Sequence, residues 1–148
     1  MIYVEKNIRY WVGVASRDHV MKGVQGGFAQ LCHGKEAPLK KMKTGDWIIY
    51  YSPKVQLNES TPYQKFTALG RVVDDHIFQF DMGNDFIPFR RKIDFMECTE
   101  TSIHPLIPQL SFIKNKKYWG YSFRFGHLEI SEDDFKVIKE EMTEMKGD

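Results

Sequence analysis

The sharpest periodic signal sits near the end of the chain, where Phe135, Ile138, Met142 and Met145 recur at spacings of three and four. That spacing lines one face of a helix. Ser131 stands where an N-cap belongs, and Glu132, Asp133 and Asp134 put negative charge in the first turn, where the helix dipole favours it. Upstream, the apolar positions come in short β-prone runs. Tyr10 to Ala15 predicts a strand, and Ser16 offers an N-cap hydroxyl to a short helix through Val20 and Met21 that Gly23, Gly26 and Gly27 break. A loop follows the glycines, the chain then reads Phe-Ala-Gln-Leu-Cys-His-Gly-Lys from Phe28 to Lys35, and Pro38 starts a helical turn ending near Met42. After a Gly45-Asp46 turn, Trp47-Ile48-Ile49-Tyr50-Tyr51-Ser52 is the clearest strand in the sequence.

Residues 53 to 64 are polar and read as a surface loop before a strand from Phe66 to Val73. Asp74-Asp75 predicts a turn that folds His76 to Asp81 back as a hairpin. Gly83 and Asn84 mark a bend before a strand near Arg90 to Glu97, and Pro105 and Pro108 bracket short helical turns. Short strands with small interspersed helices do not alternate as a doubly wound sheet requires. They predict a single α+β domain over residues 1–148: a partly closed, mixed or antiparallel β-barrel with short peripheral helices and a C-terminal helix.

Eleven Phe, seven Tyr and three Trp supply ample core material and exclude wholesale disorder. No uncharged apolar stretch approaches the roughly 20 residues that span a bilayer, so no membrane partner is expected. Glu5, Lys6 and Arg9 precede only a short apolar run, without the features of a signal peptide, and the expected location is cytoplasmic. Cys32 and Cys98 are far apart and lack zinc-motif spacing; they are expected as free buried thiols, with no metal and no cofactor. A net charge of +1 gives no global argument for a nucleic-acid partner, so local basic groups such as Lys40/Lys41/Lys43, Arg90/Arg91/Lys92 and Lys114/Lys116/Lys117 would have to carry it. Nothing demands more than a monomer.

Gly34-Lys35 fails as a phosphate-binding loop, because Ala29 stands where its first glycine belongs and Glu36 follows the lysine. No nucleophile elbow, H-E-x-x-H or dinucleotide fingerprint is present, and no two of His19, His33, His76, His104 and His127 are spaced to share a strand or helix face. Asp74-Asp75-His76 is explained by turn chemistry. The aromatic residues carry more information. Trp11, Phe28, Tyr50, Tyr51 and Trp119 lie beside Ser16, Gln30, His33, Lys35, Ser52 and Arg124, the mixture that stacks a flat heterocycle and reads its edge. Core filling accounts for any one of these rings, and adjacent Tyr50 and Tyr51 point to opposite sheet faces.

In order along the chain, Tyr10-Trp11-Val12-Gly13-Val14-Ala15-Ser16, Gly27-Phe28-Ala29-Gln30 with His33-Gly34-Lys35, Pro38-Leu39, Met42-Lys43 and Gly45-Asp46-Trp47 through Pro53, Phe66 to Val72, Pro88-Phe89-Arg90-Arg91, and Trp119-Gly120 with Phe123-Arg124, Gly126 and Leu128-Glu129-Ile130 resemble an EVE domain. The resemblance covers nearly the whole chain, and the ordered set rather than any one motif carries it. It implies a PUA-like fold related to the YTH readers, which accept a flipped modified base of DNA or RNA in an aromatic-walled pocket. Carried over by position, Trp11, Ser16, Phe28, Gln30, Tyr50, Ser52, Trp119 and Arg124 would form the base pocket, with His33, Gly34, Lys35 and Arg90 at its mouth or on the backbone. Phe28 stands where relatives often carry tryptophan, which implies a smaller stacking surface. Two other readings stay open: a nucleobase-processing enzyme on the same scaffold, with His19, His33 or Lys35 as proton donors, and a protein-interaction domain with a vestigial pocket.

Overall fold

The computed structural model describes residues 7–143; Glu5, Lys6 and Met145 lie outside the described residues. Seven strands form one sheet: β1 (Tyr10–Val14), β2 (Phe28–Ala29), β3 (Trp47–Ser52), β4 (Lys65–Gln79), β5 (Phe89–Phe95), β6 (Thr101–Ser102) and β7 (His127–Ile130). Their order is β2-β5-β4-β3-β1-β7, with β6 paired to β4. β1 and β3 run parallel, Val12 opposite Ile49, and the other pairs are antiparallel. The fold is α+β with a mixed sheet. It remains open, because the terminal strands β2 and β7 do not pair, where a closing barrel would join them.

β3 lies between β1 and β4, and its alternate side chains enter different cores. Ile48 and Tyr50 pack on one face with Val20 of α1 (Arg17–Gly26) and Leu39 of α2 (Glu36–Lys41). Ile49 and Tyr51 pack on the other with Phe135, Ile138 and Met142 of α3 (Glu132–Thr143) and with Leu106 and Ile107 of the 3-10 segment His104–Gln109. Helical layers therefore cover both faces, which explains the unbroken apolar run of β3. The α3 signals act as their positions predict: Ser131 Oγ accepts from Asp134 N at 3.1 Å. Asp134 does more than serve the dipole, for its buried carboxylate receives Ser111 N, Ser111 Oγ and Phe112 N, tying α3 to the preceding segment.

Two local expectations are corrected. Asp74-Asp75 is no hairpin turn: β4 continues to Gln79 and pairs with β5 on both sides of a bulge, Val72 opposite Ile93 and Ile77 opposite Arg91. The Arg91 guanidinium fills the bulge, donating to Asp74 O and to the Leu39 and Met42 carbonyls. α1, in turn, runs through Gly23 to a left-handed Gly27. Gly23 and Gly26 are close-approach positions, since a Cβ at either would lie 2.6 Å from the Phe28 carbonyl oxygen or ring. Ser16 occupies the N-cap position without capping. The first helical amides instead donate to a neighbouring loop, Arg17 N to Lys54 O and Asp18 N to Val55 O, both at 3.0 Å, while the Ser16 hydroxyl donates to Asp18.

Candidate functional site

The C-terminal end of β1, helix α1 and strand β2 diverge around a cavity of about 560 Å³. That is the size range of small-molecule sites. Ser16 from the β1–α1 junction, Phe28 and Gln30 from β2 and its continuation, and Tyr50 from β3 form one side. The turn Cys32–Gly34 contributes Cys32 and His33, followed by Lys35. Arg90 enters from β5, Arg124 and Phe125 from the turn before β7, and Met82 and Phe86 from the β4–β5 hairpin tip.

Arg90 has the most elaborated setting of these residues. Its guanidinium lies 3.9 Å from the Phe28 ring centroid and 4.2 Å from that of Phe80, a cation between two rings. Its Nε donates to Gln30 Oε1 at 3.1 Å, fixing the amide, and the Tyr50 hydroxyl donates to the Gln30 carbonyl at 3.3 Å. Burial lowers the Arg90 pKa and raises those of Tyr50 and Cys32, so the tyrosine and the thiol stay neutral near pH 7. Among the described residues no carboxylate lines the cavity, whereas Lys22, Lys35, Arg90 and Arg124 do. Cys32 and His33 take left-handed φ values of 50° and 61°, which turn the chain and set both side chains at the cavity. Among the described residues no cluster of three or more His, Cys, Asp or Glu is placed to hold a metal ion, and no helix is long and apolar enough to cross a membrane.

Of the residues carried over to the pocket and its mouth, Ser16, Phe28, Gln30, Tyr50, His33, Lys35, Arg90 and Arg124 line this cavity, and so does His19, named as a candidate proton donor. Four lie elsewhere. The Trp11 indole is buried, stacks on His127 at 4.7 Å and donates to Asp46 at 3.0 Å. Ser52 is sealed in the sheet, 2.8 Å from the Thr67 hydroxyl. Trp119 packs with Tyr51 and Phe123 in the core on the opposite face. Gly34 is buried, and a Cβ there would meet Pro88. Sequence reasoning missed Leu57, Met82, Phe86 and Phe125 at the rim, residues that loop regions deliver from distant parts of the chain.

Residues 9–141 match the EVE domain family. The chain belongs to this family. The EVE domain described here is 65% identical over 130 residues to the UPF0310 protein in gntR 5'region of Bacillus licheniformis, covering 88% of each chain. It is 51% identical to a UPF0310 protein of Mycobacterium avium, covering 90% of this chain and 97% of that one. Among solved structures it resembles the YTH domain of a Zygosaccharomyces rouxii protein, determined in complex with N6-methyladenosine RNA, at TM-score 0.65 and 13% identity, covering 100% of this chain and 92% of that one. Rpa0253 from Rhodopseudomonas palustris matches at TM-score 0.53 and 16% identity, covering 90% and 92%. At such identities the likeness concerns the fold. A second, wider recess of this EVE domain lies around Arg9, Lys43, Asp46, Asp75 and Arg91, where acids and bases are mixed.

Proposed function

We propose that this EVE domain is a non-catalytic binding module that accepts a modified base of DNA or RNA in the cavity beside Phe28. One observation carries the reading: a base-sized cavity presents ring surface and four cationic side chains and, among the described residues, no carboxylate. An extruded base needs a stacking face and edge partners to offset the few kcal/mol lost on unstacking. Phe28, backed by Arg90, supplies the face. Ser16 and the Gln30 amide supply edge contacts, and the Arg90 guanidinium, bonded on its Nε, directs its remaining N–H groups at acceptor atoms. Lys22, Lys35, His33 and Arg124 stand where the attached phosphates would leave the cavity. The YTH structure bound to N6-methyladenosine RNA supports the reading at the level of fold.

The test is fluorescence-detected binding of short DNA and RNA oligonucleotides, with and without 5-methylcytosine, 5-hydroxymethylcytosine or N6-methyladenine, to wild type and Phe28→Ala. Preference for one modified base, reduced about tenfold or more in Phe28→Ala, is the expected result, since stacking contributes about 1–3 kcal/mol per base. Equal affinity for modified and unmodified strands in the wild type would reject base reading.

A further inference from the structure

The segment that brings Arg124 and Phe125 to the cavity leaves three large rings in water: Tyr118 is 63% exposed, Tyr121 66% and Phe125 73%. Single exposed rings are ordinary, but three within eight residues form a surface. Cations stand over each of them. The Arg124 guanidinium is 3.7 Å from the Tyr121 centroid and 4.4 Å from that of Phe125, and Lys117 Nζ is 5.3 Å from that of Tyr118. Arg124 is held in place by its own donation to Tyr121 O at 2.8 Å. That bond sets the guanidinium against Tyr121 and Phe125. The ring surface is continuous with the cavity, whose wall includes Arg124 and Phe125.

Charge identifies the occupant. None of the chain's 20 Asp and Glu residues falls between Thr101 and Leu128, a stretch holding Lys114, Lys116, Lys117 and Arg124. Lys116 turns back onto the Ile107 and Leu110 carbonyls, which leaves Lys117 and Arg124, the cations over the rings, to serve the surface. Exposed rings bordered by cations, in a stretch of chain without acid, match a chain of stacked bases on a phosphate backbone. A duplex keeps its base faces stacked inside and cannot present them. We infer that Tyr121 and Phe125, with Arg124 between them, are a stacking platform for nucleotides flanking the bound base, so the partner is single-stranded nucleic acid. The inference rests on the base-binding reading for its direction, because the strand leaves the cavity over Phe125.

The experiment compares three probes on the full chain: a seven-nucleotide single strand with central 5-methylcytosine, the same strand annealed to its complement, and 5-methyl-dCMP alone, with RNA and unmodified strands run in parallel. Tyr121 is outside the cavity, so Tyr121→Leu should bind the mononucleotide as the wild type does yet bind the single strand about tenfold more weakly. Tyr121→Trp should restore strand binding, and both variants should melt as the wild type does, given the exposure of the site. Undiminished strand binding by Tyr121→Leu, or duplex bound as tightly as single strand, overturns the platform, as does failure of the wild type to bind any strand. Loss of strand binding in Tyr121→Leu with no preference for modified over unmodified strands in the wild type would keep the platform and remove the base reading. A loss confined to capture of another protein would assign the rings to a protein interface and overturn the inference.

Discussion

The carboxylate of Asp46 accepts three hydrogen bonds, from Arg9 N at 3.0 Å, the Trp11 indole at 3.0 Å and Lys43 N at 2.8 Å, while 1% exposed. It joins the start of β1, the turn before β3 and the largest ring of one core. Removing it leaves three donors without an acceptor, and a buried donor abandoned in this way costs about 1–3 kcal/mol. Asp46→Ala should therefore lose about 3 kcal/mol or more of stability and lower the melting temperature by roughly 10 °C. Asn, which keeps one acceptor oxygen, should recover part of the loss in the same denaturation assay; a wild-type midpoint for Asp46→Ala would refute the argument. The sequence marked Gly45-Asp46 as a turn and Trp11 as a pocket ring. It could not reveal that the two meet, because the bond spans 35 residues and a ring's neighbours in sequence do not say what lies against its face. Where strand periodicity alone decides orientation it was reliable: Tyr50 lines the cavity and Tyr51 the opposite core. Trp119 had no such constraint, standing in a 3-10 turn, Trp119–Phe123, where neither period applies.

At the level of elements, β7 brings a titratable ring into a dry place. His127 is paired opposite Gly13, stacks on Trp11, and its Nε2 is buried without a hydrogen-bond partner among the described residues. Burial, aided by Lys41, lowers its pKa from the usual 6.5 to about 4, so the folded state holds it neutral. The unfolded chain then binds more protons between pH 6.5 and 4, and stability falls as the pH drops through that window and levels off below it. The part lost between pH 7 and pH 5 is about 2 kcal/mol. His127→Phe keeps a ring against Trp11 and removes the proton site, so its denaturation midpoint should be nearly flat across that interval while the wild type declines. Parallel declines would assign the acid sensitivity elsewhere. The elements themselves were largely legible. α3 and β3 carry strong, uninterrupted patterns, and their observed bounds follow them. The β4 interruption was not, because two aspartates after a strand favour a turn and a wide bulge equally. What selects the bulge is Arg91, a side chain on the neighbouring strand, filling the gap with bonds to backbone carbonyls.

For the molecule as a whole, the net charge of +1 conceals an uneven distribution. Among the described residues acid is absent from the cavity wall, the sequence holds none from Thr101 to Leu128, and it returns at Glu129 and in the first turn of α3. Attraction for a polyanion is therefore local, with Lys22, Lys35, Arg124 and Lys117 the cations placed around the mouth and platform. If about three of them neutralise phosphates, counterion release from a single strand gives a slope of log Kobs against log salt near −2, at about −0.7 per contact. Affinity should then fall roughly twentyfold between about 50 and 200 mM salt, far less than for a protein that grips a duplex through 6–10 phosphates. Lys35→Gln should reduce the slope by about 0.7 while leaving the discrimination between modified and unmodified bases intact, because the lysine meets backbone rather than base. A slope near zero with binding retained would confine recognition to the base and its own cavity. A slope steeper than about −4 would need more phosphate contacts than these cations supply, and would point to the mixed-charge recess around Arg9, Lys43 and Arg91 as a second contact for the strand.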